Sequence, residues 1–382
     1  MTEKLFDIDG CLMEFDAKVL SCEATGDGFA VLLDKTAFAP EGGGQRSDVG
    51  TLGEAAVTDV RVMGDEILHI VDRALTVGET VHGILDRDRR VRHIQNHTGE
   101  HIVSGLFYTL YGYTNIGFHL GSEDVTMDLD GEVSEEMLRR VEREANRVVF
   151  EDHPVTVTYP DRDALASLFY RAKLDLSENV RIVTIGDVDA CACCAPHVAR
   201  TGQIGMIKLL YAIRYKGGTR IHMKCGFDAL NEFNAEFSRA TAISNRISLP
   251  RERIAEGVEK LWADLSDANY KLVGLRRELI ACRADAAVAT DGNLLFVEKD
   301  MDTNELRLLV TLSMDKAGGA CAAFSEEQEG VYRFVAAYRG NTFEEWRDHL
   351  LTAIHGHGGG KAPFIQGKAN CGEAEIRRFF GN

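Results

Sequence analysis

The stretch Asp189-Ala-Cys-Ala-Cys-Cys-Ala-Pro-His-Val-Ala-Arg-Thr-Gly-Gln-Ile-Gly205 gathers three cysteines and a histidine into a short run. In a reducing compartment such a cluster suits a metal better than a disulfide. Zinc takes Cys and His ligands, and a catalytic site keeps one of four positions for water or substrate. Far upstream stands His97-Thr-Gly-Glu-His101. Residues four apart share one helix face, so both imidazoles can reach a single point. Each half alone has an ordinary reading as surface or core residues. Together, two histidines from a helix with Cys193 or Cys194 and His197 from a loop complete a zinc set. A closed zinc that only staples the fold would use the same ligands. Glu100 falls off the face shared by His97 and His101, which is not the arrangement that gives zinc proteases their base.

Working outward, Ile94, Ile102, Leu106 and Leu110 recur at helical spacing up to Gly112. Val125–Leu129 reads as a strand, followed by a helix with Met137, Leu138, Val141, Ala145 and Val148 inward. Val155–Tyr159, Val180–Ile185, Ile204–Leu210 and Arg220–Lys224 read as further strands, so residues 89–228 are predicted to form an α+β domain. Upstream, residues 1–88 hold short runs at Phe29–Leu33, Ala56–Val62, Ile67–Val71 and Val77–Ile84, separated by Gly42-Gly-Gly44, Gly50 and Gly53. That rhythm predicts a small β-barrel or sandwich.

Downstream, residues 229–285 carry Ile254, Val258, Leu261, Leu265, Ala268, Leu272, Leu275 and Leu279 at alternating spacings of four and three. This heptad seam fits an intramolecular helical arm and a dimer zipper equally well. Residues 286–382 alternate strands (Leu294–Val297, Leu306–Leu312, Val331–Tyr338) with helical pieces around Thr342–Ile354 and Glu373–Phe380. The expected C-terminal domain is α/β and carries the run His355-Gly-His-Gly-Gly-Gly-Lys361.

The 382 residues are 45% hydrophobic and 27% charged, a composition able to build real cores. No segment approaches the roughly 18 apolar residues a membrane span needs. The start carries Glu3, Asp7 and Asp9 rather than a basic end before an apolar core, so a secretory signal is not expected and the cytoplasm is. A net charge of −17 argues against phosphate ligands, but its distribution is uneven. Ala199–Phe227 lacks Asp and Glu while holding Arg200, Lys208, Arg214, Lys216, Arg220 and Lys224, and Arg87, Arg89, Arg90 and Arg92 form a second basic knot. These read either as solvated faces or as a phosphate-binding rim. Lys208 and Arg214 are expected on different elements. Arg220 and Lys224 share a strand face, with Lys216 at the adjoining turn.

The Asp189–Gly205 run resembles the Cys-Gly-Gly-Thr-His-Val…Thr-Gly-x-Ile-Gly motif of alanyl-tRNA synthetase editing domains, and His97–His101 resembles their His-Thr-Ala-x-His. Pro40-Glu-Gly-Gly-Gly-Gln45…Asp48-Val-Gly50 is similar to the glycine-rich barrel motif that precedes them. Gly117-Phe-His-Leu-Gly121 with Val125–Leu129 resembles the free-standing AlaX editing proteins, and His355–Gly367 resembles the motif of the DHH-associated domain that closes the synthetase. Five motifs in family order point to the long form of AlaX. With nothing before the barrel to house an aminoacylation domain, editing without charging is the expectation.

The resemblance implies a zinc-dependent hydrolase that deacylates tRNA(Ala) mischarged with serine or glycine. It implies His97, His101, Cys193 and His197 as zinc ligands, Cys193 being preferred over Cys194 because its spacing to His197 matches the motif. Gln45 and His119 become lining residues of the catalytic site. His119 reads as a proton relay or as a buried, hydrogen-bonded histidine. Cys-Ala-Pro stands where the family has Gly-Gly-Thr, giving a stiffer loop without the threonine hydroxyl. Zinc would either polarise a water or hold the aminoacyl group. For tRNA contact the candidates are Lys216, Arg220 and Lys224, and a backbone concavity at Gly358, Gly359, Gly360 and Lys361. The competing reading is a zinc-containing tRNA-binding module without activity. A DHH phosphoesterase would need an Asp-His-His triplet, and the chain has none.

Overall fold

The structure, a computed structural model, describes residues 2–26, 28–121, 125–172 and 180–381. Its contacts divide the chain into Met1–Ala242 and Ile243–Asn382. In the first unit six strands pair in a closed ring, in the order Glu14–Thr25, Gly28–Leu33, Glu66–Val71, Ala55–Met63, Gly50–Leu52 and Thr80–Leu85, the last returning to the first. Alternation along these strands sends Val19, Val31, Leu33, Val57, Val60 and Ile67 into one apolar core.

Asp86 ends the ring and caps the helix Arg87–Tyr111, its side chain accepting from the Arg89 N–H, and Gly112 closes the helix in the left-handed region at φ 73°. This central helix is surrounded on nearly all sides. Ile94, Ile102, Val103 and Phe107 meet the inner face of a four-stranded sheet ordered Ile207–Tyr215, Gly218–Cys225, Val125–Leu129 and Asn115–Leu120. Contact is so close at Gly99 that a Cβ there would lie 2.3 Å from Cys225 Sγ. Helix Glu135–Glu151, with Leu138, Val141, Ala145 and Val148 inward, covers the same core. A three-stranded sheet of Val155–Thr158, Ile182–Ile185 and Asp189–Ala192 completes the unit.

Two expectations change here. Three arginines of the basic knot, Arg89, Arg90 and Arg92, belong to neither a solvated face nor a rim, while Arg87 is exposed. Arg90 is fully buried, gripping both Asp48 oxygens through Nε at 3.2 Å and donating to Gly10 O at 3.0 Å, while Arg89 donates to Ser47 O and Arg92 to Asp228. These cations tie the central helix to the segments around it. Second, Lys208 and Arg214 lie on one strand, Ile207–Tyr215, which a bulge between Leu209 and Tyr211 carries past the point where the apolar pattern falters.

The second unit is a five-stranded sheet ordered Leu294–Lys299, Cys321–Gln328, Val331–Ala337, Phe364–Asn370 and His357–Gly359, parallel only in its first pair. Leu306–Leu312, expected as a strand, is instead the helix Thr303–Ser313. Asp302 and Glu305 form a capping box, and Leu306, Leu309, Val310 and Ser313 bury one helical face, so cap and period 3.6 outweigh the short apolar run. The seam residues Val258, Leu261, Leu265, Leu272, Leu275 and Leu279 ride exposed on the helix Ile254–Asp285. Among the described residues no helix is long and apolar enough to cross a membrane.

Candidate metal centre

The central helix sets His97 and His101 one turn apart, and the segment leaving strand Asp189–Ala192 brings Cys193 and His197 across them. The ligand atoms of these four residues all lie within 4.8 Å of one another. Cys193 Sγ is 3.6 Å from His97 Nε2 and 3.4 Å from His197 Nε2. Tetrahedral zinc, with Zn–S near 2.3 Å and Zn–N near 2.0–2.1 Å, requires an N···S separation of about 3.5 Å. Donor types and spacing both fit that ion.

Each imidazole is oriented from behind by a different partner. Gln45 Oε1 faces His97 Nδ1 at 3.1 Å, Asp189 Oδ2 faces His101 Nδ1 at 3.1 Å, and Thr98 Oγ1 faces His197 Nδ1 at 3.1 Å. Engaging every Nδ1 leaves Nε2 for the centre, the outer-shell arrangement that fixes tautomer and ring angle in metal sites. Arg171 clamps Asp189 through two bonds of 2.6 and 2.8 Å. Gly43 sits at φ +60°, and a Cβ there would stand 3.0 Å from His97 Cε1, so the Gly42–Gly44 turn can lie on the ring only as glycine.

Burial alone would raise the Cys193 thiol, but His97 and His197 beside it and hydrogen bonds from His101 and His197 hold it well below the ordinary range. Burial pushes His197 down to about 3. A thiolate and a neutral imidazole are the forms a metal takes. At His101 burial opposes the charge, yet Cys191, Asp189 and Cys193 outweigh it and raise the pKa. The loop is held by Arg181, which donates to Cys193 O at 2.8 Å and Ala195 O at 2.9 Å and pairs with Asp7 at 2.9 Å. Cys194 is exposed and lies outside the cluster.

Gln45 is thus brought to the centre and His119 is not. His119 is exposed on strand Asn115–Leu120, where the neighbouring Phe118 turns inward to meet the His97 ring at 5.1 Å. Alternation sends the two side chains to opposite faces. Glu100 bonds Ser104 and Asn115, off the cluster as its helical position demands. A second trio, His101, Asp189 and Cys191, adjoins the first, but the Arg171 guanidinium against Asp189 opposes another cation there. Thr98 and Asp189 stand inside the runs first noticed in the sequence, though their part in holding the rings was missed. Arg171 and Arg181 carry no sequence signal, because their partners are set only by the fold.

Lys208, Arg220 and Lys224 line the sheet face turned away from the central helix, since Ile221, Met223 and Cys225 take the inner face. Arg220 pairs with Asp128 and Lys224 with Glu232. Lys208 pairs with Glu142, and Arg214 with Glu132. Exposed Lys216 has no acidic partner among the described residues and lies over the Tyr215 ring at 5.0 Å. The glycine run is not the expected concavity. His357–Gly359 forms an extended, exposed edge strand against Phe364–Asn370, and Gly356 and Gly358–Gly360 all lack positive φ. A bare glycine is needed at Gly358, where a Cβ would meet Gln366 O at 2.4 Å, and at Gly360, where it would meet Phe364 O at 2.1 Å, but Gly359 has open space.

Two family models match the chain: the threonyl and alanyl tRNA synthetase second additional domain at residues 180–222, and class II (A) tRNA synthetases at residues 11–89. The alanyl-tRNA editing protein AlaX-L of Pyrococcus horikoshii is 30% identical over 289 residues, covering 73% of this chain and 72% of its own length. The alanyl-tRNA editing protein Aarsd1 of Danio rerio is 27% identical, covering 95% of this chain and 92% of its own. The alanine–tRNA ligase of Pyrococcus furiosus is 34% identical over 73% of this chain, which spans only 32% of that ligase. The C-Ala domain of Aquifex aeolicus alanyl-tRNA synthetase aligns with 25% of the chain and 96% of its own, at 16% identity and a TM-score of 0.20.

Proposed function

The chain belongs to the alanyl-tRNA editing family, and from that premise we propose that it hydrolyses the ester of tRNA(Ala) mischarged with serine or glycine, in the cytoplasm and with zinc as cofactor. The observation that carries this reading is the cluster of His97, His101, Cys193 and His197 at zinc-sized spacing, every ring braced from behind. An aminoacyl ester is already activated, so the site has to orient it and stabilise developing negative charge. Bound zinc would supply Lewis acidity toward a carbonyl oxygen or a water. The chain's own part is positional: Gln45, Thr98 and Asp189 with Arg171 lock the imidazoles, and Arg181 holds the Cys193–Ala195 backbone in place of the flexible Gly-Gly-Thr loop. His119 on the outer sheet face is assigned to the substrate's approach.

In this reading residues 1–88 are the small β-barrel, 89–228 the editing domain, 229–285 a helical arm and 286–382 a DHH-associated domain. The exposed Val258–Leu279 seam supports pairing of two arms into a homodimer. Lys216 and the exposed Gly358–Lys361 edge would contact the tRNA phosphates, with Arg220 and Lys224 joining only if their pairs with Asp128 and Glu232 open.

One observation favours a second reading. Four protein ligands complete a tetrahedron, the pattern of structural zinc, which suits an inactive tRNA-binding module. Deacylation of seryl-, glycyl- and alanyl-tRNA(Ala), with and without a chelator, separates them. Chelator-sensitive hydrolysis of the first two supports the enzyme. Full zinc with no hydrolysis leaves the module.

A further inference from the structure

A cavity of about 580 Å³ opens in the C-terminal unit, lined by Tyr338, Trp346, His349, Phe379, Asn293 and Arg378 among others. Tyr338 follows the strand Val331–Ala337, Trp346 and His349 lie one turn apart on helix Phe343–Ala353, and Arg378 and Phe379 come from helix Glu373–Phe380. Tyr338 and Trp346 stack with centroids 5.0 Å apart and planes at 20°, and His349 meets Phe379 edge-on at 5.3 Å. The wall is therefore a set of fixed aromatic surfaces.

Its polar groups fall into two kinds. Asn293 is consumed by the fold, donating to Phe380 O and accepting from Ala320 N, and Glu375, also on the rim, caps its helix by accepting from Gly372 N. Among the described residues the Tyr338 hydroxyl, Trp346 Nε1, the His349 ring and the Arg378 guanidinium have no hydrogen-bond or ion-pair partner. Adjacent Arg377, by contrast, is paired with Glu373. His349 and Arg378 are exposed and Tyr338 and Trp346 half-buried, so these groups face solvent at the cavity and no ion pair or hydrogen bond within the fold would have to break for a ligand to meet them. A planar ring satisfies the wall, and an anion satisfies Arg378.

We propose that this cavity binds a nucleotide, with its base against the Tyr338–Trp346 wall and its phosphate at Arg378. Base–aromatic stacking tolerates any base because each has a π-face. Arginine offers phosphate a planar fork of donors. The volume falls within the roughly 300–1,000 Å³ of ordinary ligand sites. A free nucleotide and a single nucleotide of RNA present the same chemistry. Every residue involved lies outside the metal centre, so the site stands or falls apart from the deacylase reading.

The chain has two tryptophans, and Trp262→Phe leaves Trp346 as the only reporter. In that full-length background AMP, GMP, CMP and UMP should quench Trp346 emission saturably. Adenosine, lacking phosphate, should bind about tenfold more weakly, as should AMP to Arg378→Gln. Tyr338→Leu should lose about tenfold through stacking. Circular dichroism and thermal unfolding matching the parent show that each variant is folded. A short single-stranded RNA binding at least about tenfold tighter than AMP assigns the site to RNA, and equal binding assigns it to free nucleotide; both support the proposal. No saturable change with any nucleotide or RNA, or full affinity in folded Arg378→Gln, overturns it.

Discussion

Acidification from neutral pH should loosen the ring of strands through one residue, His69. It lies on strand Glu66–Val71 with no solvent exposure, its Nε2 2.8 Å from Thr36 Oγ1, its Nδ1 3.2 Å from Val31 O and its ring edge-on to Phe38 at 5.7 Å. Burial disfavours the imidazolium and pushes the pKa down to about 4, the Val31 carbonyl opposing only in part. The unfolded chain takes up this proton near pH 6.5, whereas the folded chain resists until about 4. Between those values the unfolded state binds more protons, so stability falls as pH falls. Some two and a half pH units at the usual conversion give about 3 kcal/mol in all, and about 1 kcal/mol is already gone near pH 5.5. Amide exchange of the ring strands, compared between chelator-treated parent and His69→Gln at matched pH, isolates this residue from every other titration. Protection in the parent should decline more steeply below pH 6.5. Parallel curves for the two proteins would refute the reasoning.

Cys193→Ala should lose most of its metal by elemental analysis while Cys194→Ala keeps it, since only the former sulfur lies among the histidines; the reverse pattern would hand the ligand role to Cys194. Arg90→Leu strands the Asp48 carboxylate, whose pKa is held down by His93 and Arg90 against the opposing effect of burial, and should destabilise the first unit by about 3–5 kcal/mol in denaturant titration. A loss under 1 kcal/mol would show that the pair contributes little. Replacing Lys216, Arg220 and Lys224 together by Ala should flatten the salt dependence of tRNA binding by about one unit rather than three, because Arg220 and Lys224 already hold acids. A change near three would mean that those pairs open when RNA arrives.

The His/Cys cluster was legible because a helix translates a spacing of four directly into a shared face, which sets His97 and His101 side by side. Gly112 was read as the end of the central helix, but two other local signals, the Asp86 cap and the Asp302–Glu305 box, were overlooked, the latter in favour of the apolar run Leu306–Leu312. What could not be read is what depends on distant partners. The strand holding Phe118 and His119 announces that they face opposite ways but not which one meets His97; packing of the sheet on the central helix decides that. The basic residues after Ala199 looked free because their acids, Asp128, Glu132, Glu142, Asp152 and Glu232, all come from outside that run. The glycine run suggested a curved nest, yet glycine also serves where two extended backbones press together, and here it does.

The three braces behind the imidazoles enter the growing chain at different times. Gln45 is made with the ring and Thr98 with the central helix, whereas Asp189 arrives only just ahead of Cys193 and His197. Domains form from the N-terminal side during synthesis. A half-made chain therefore holds two histidines with only one braced by the ring, and the tight pocket exists only after the last loop has closed over them. Capture of an ion by this set would then be a late step of maturation, and metal content would report that the ring, the helix and the loop have all docked. A lesion anywhere in those three parts would be read out by the same assay.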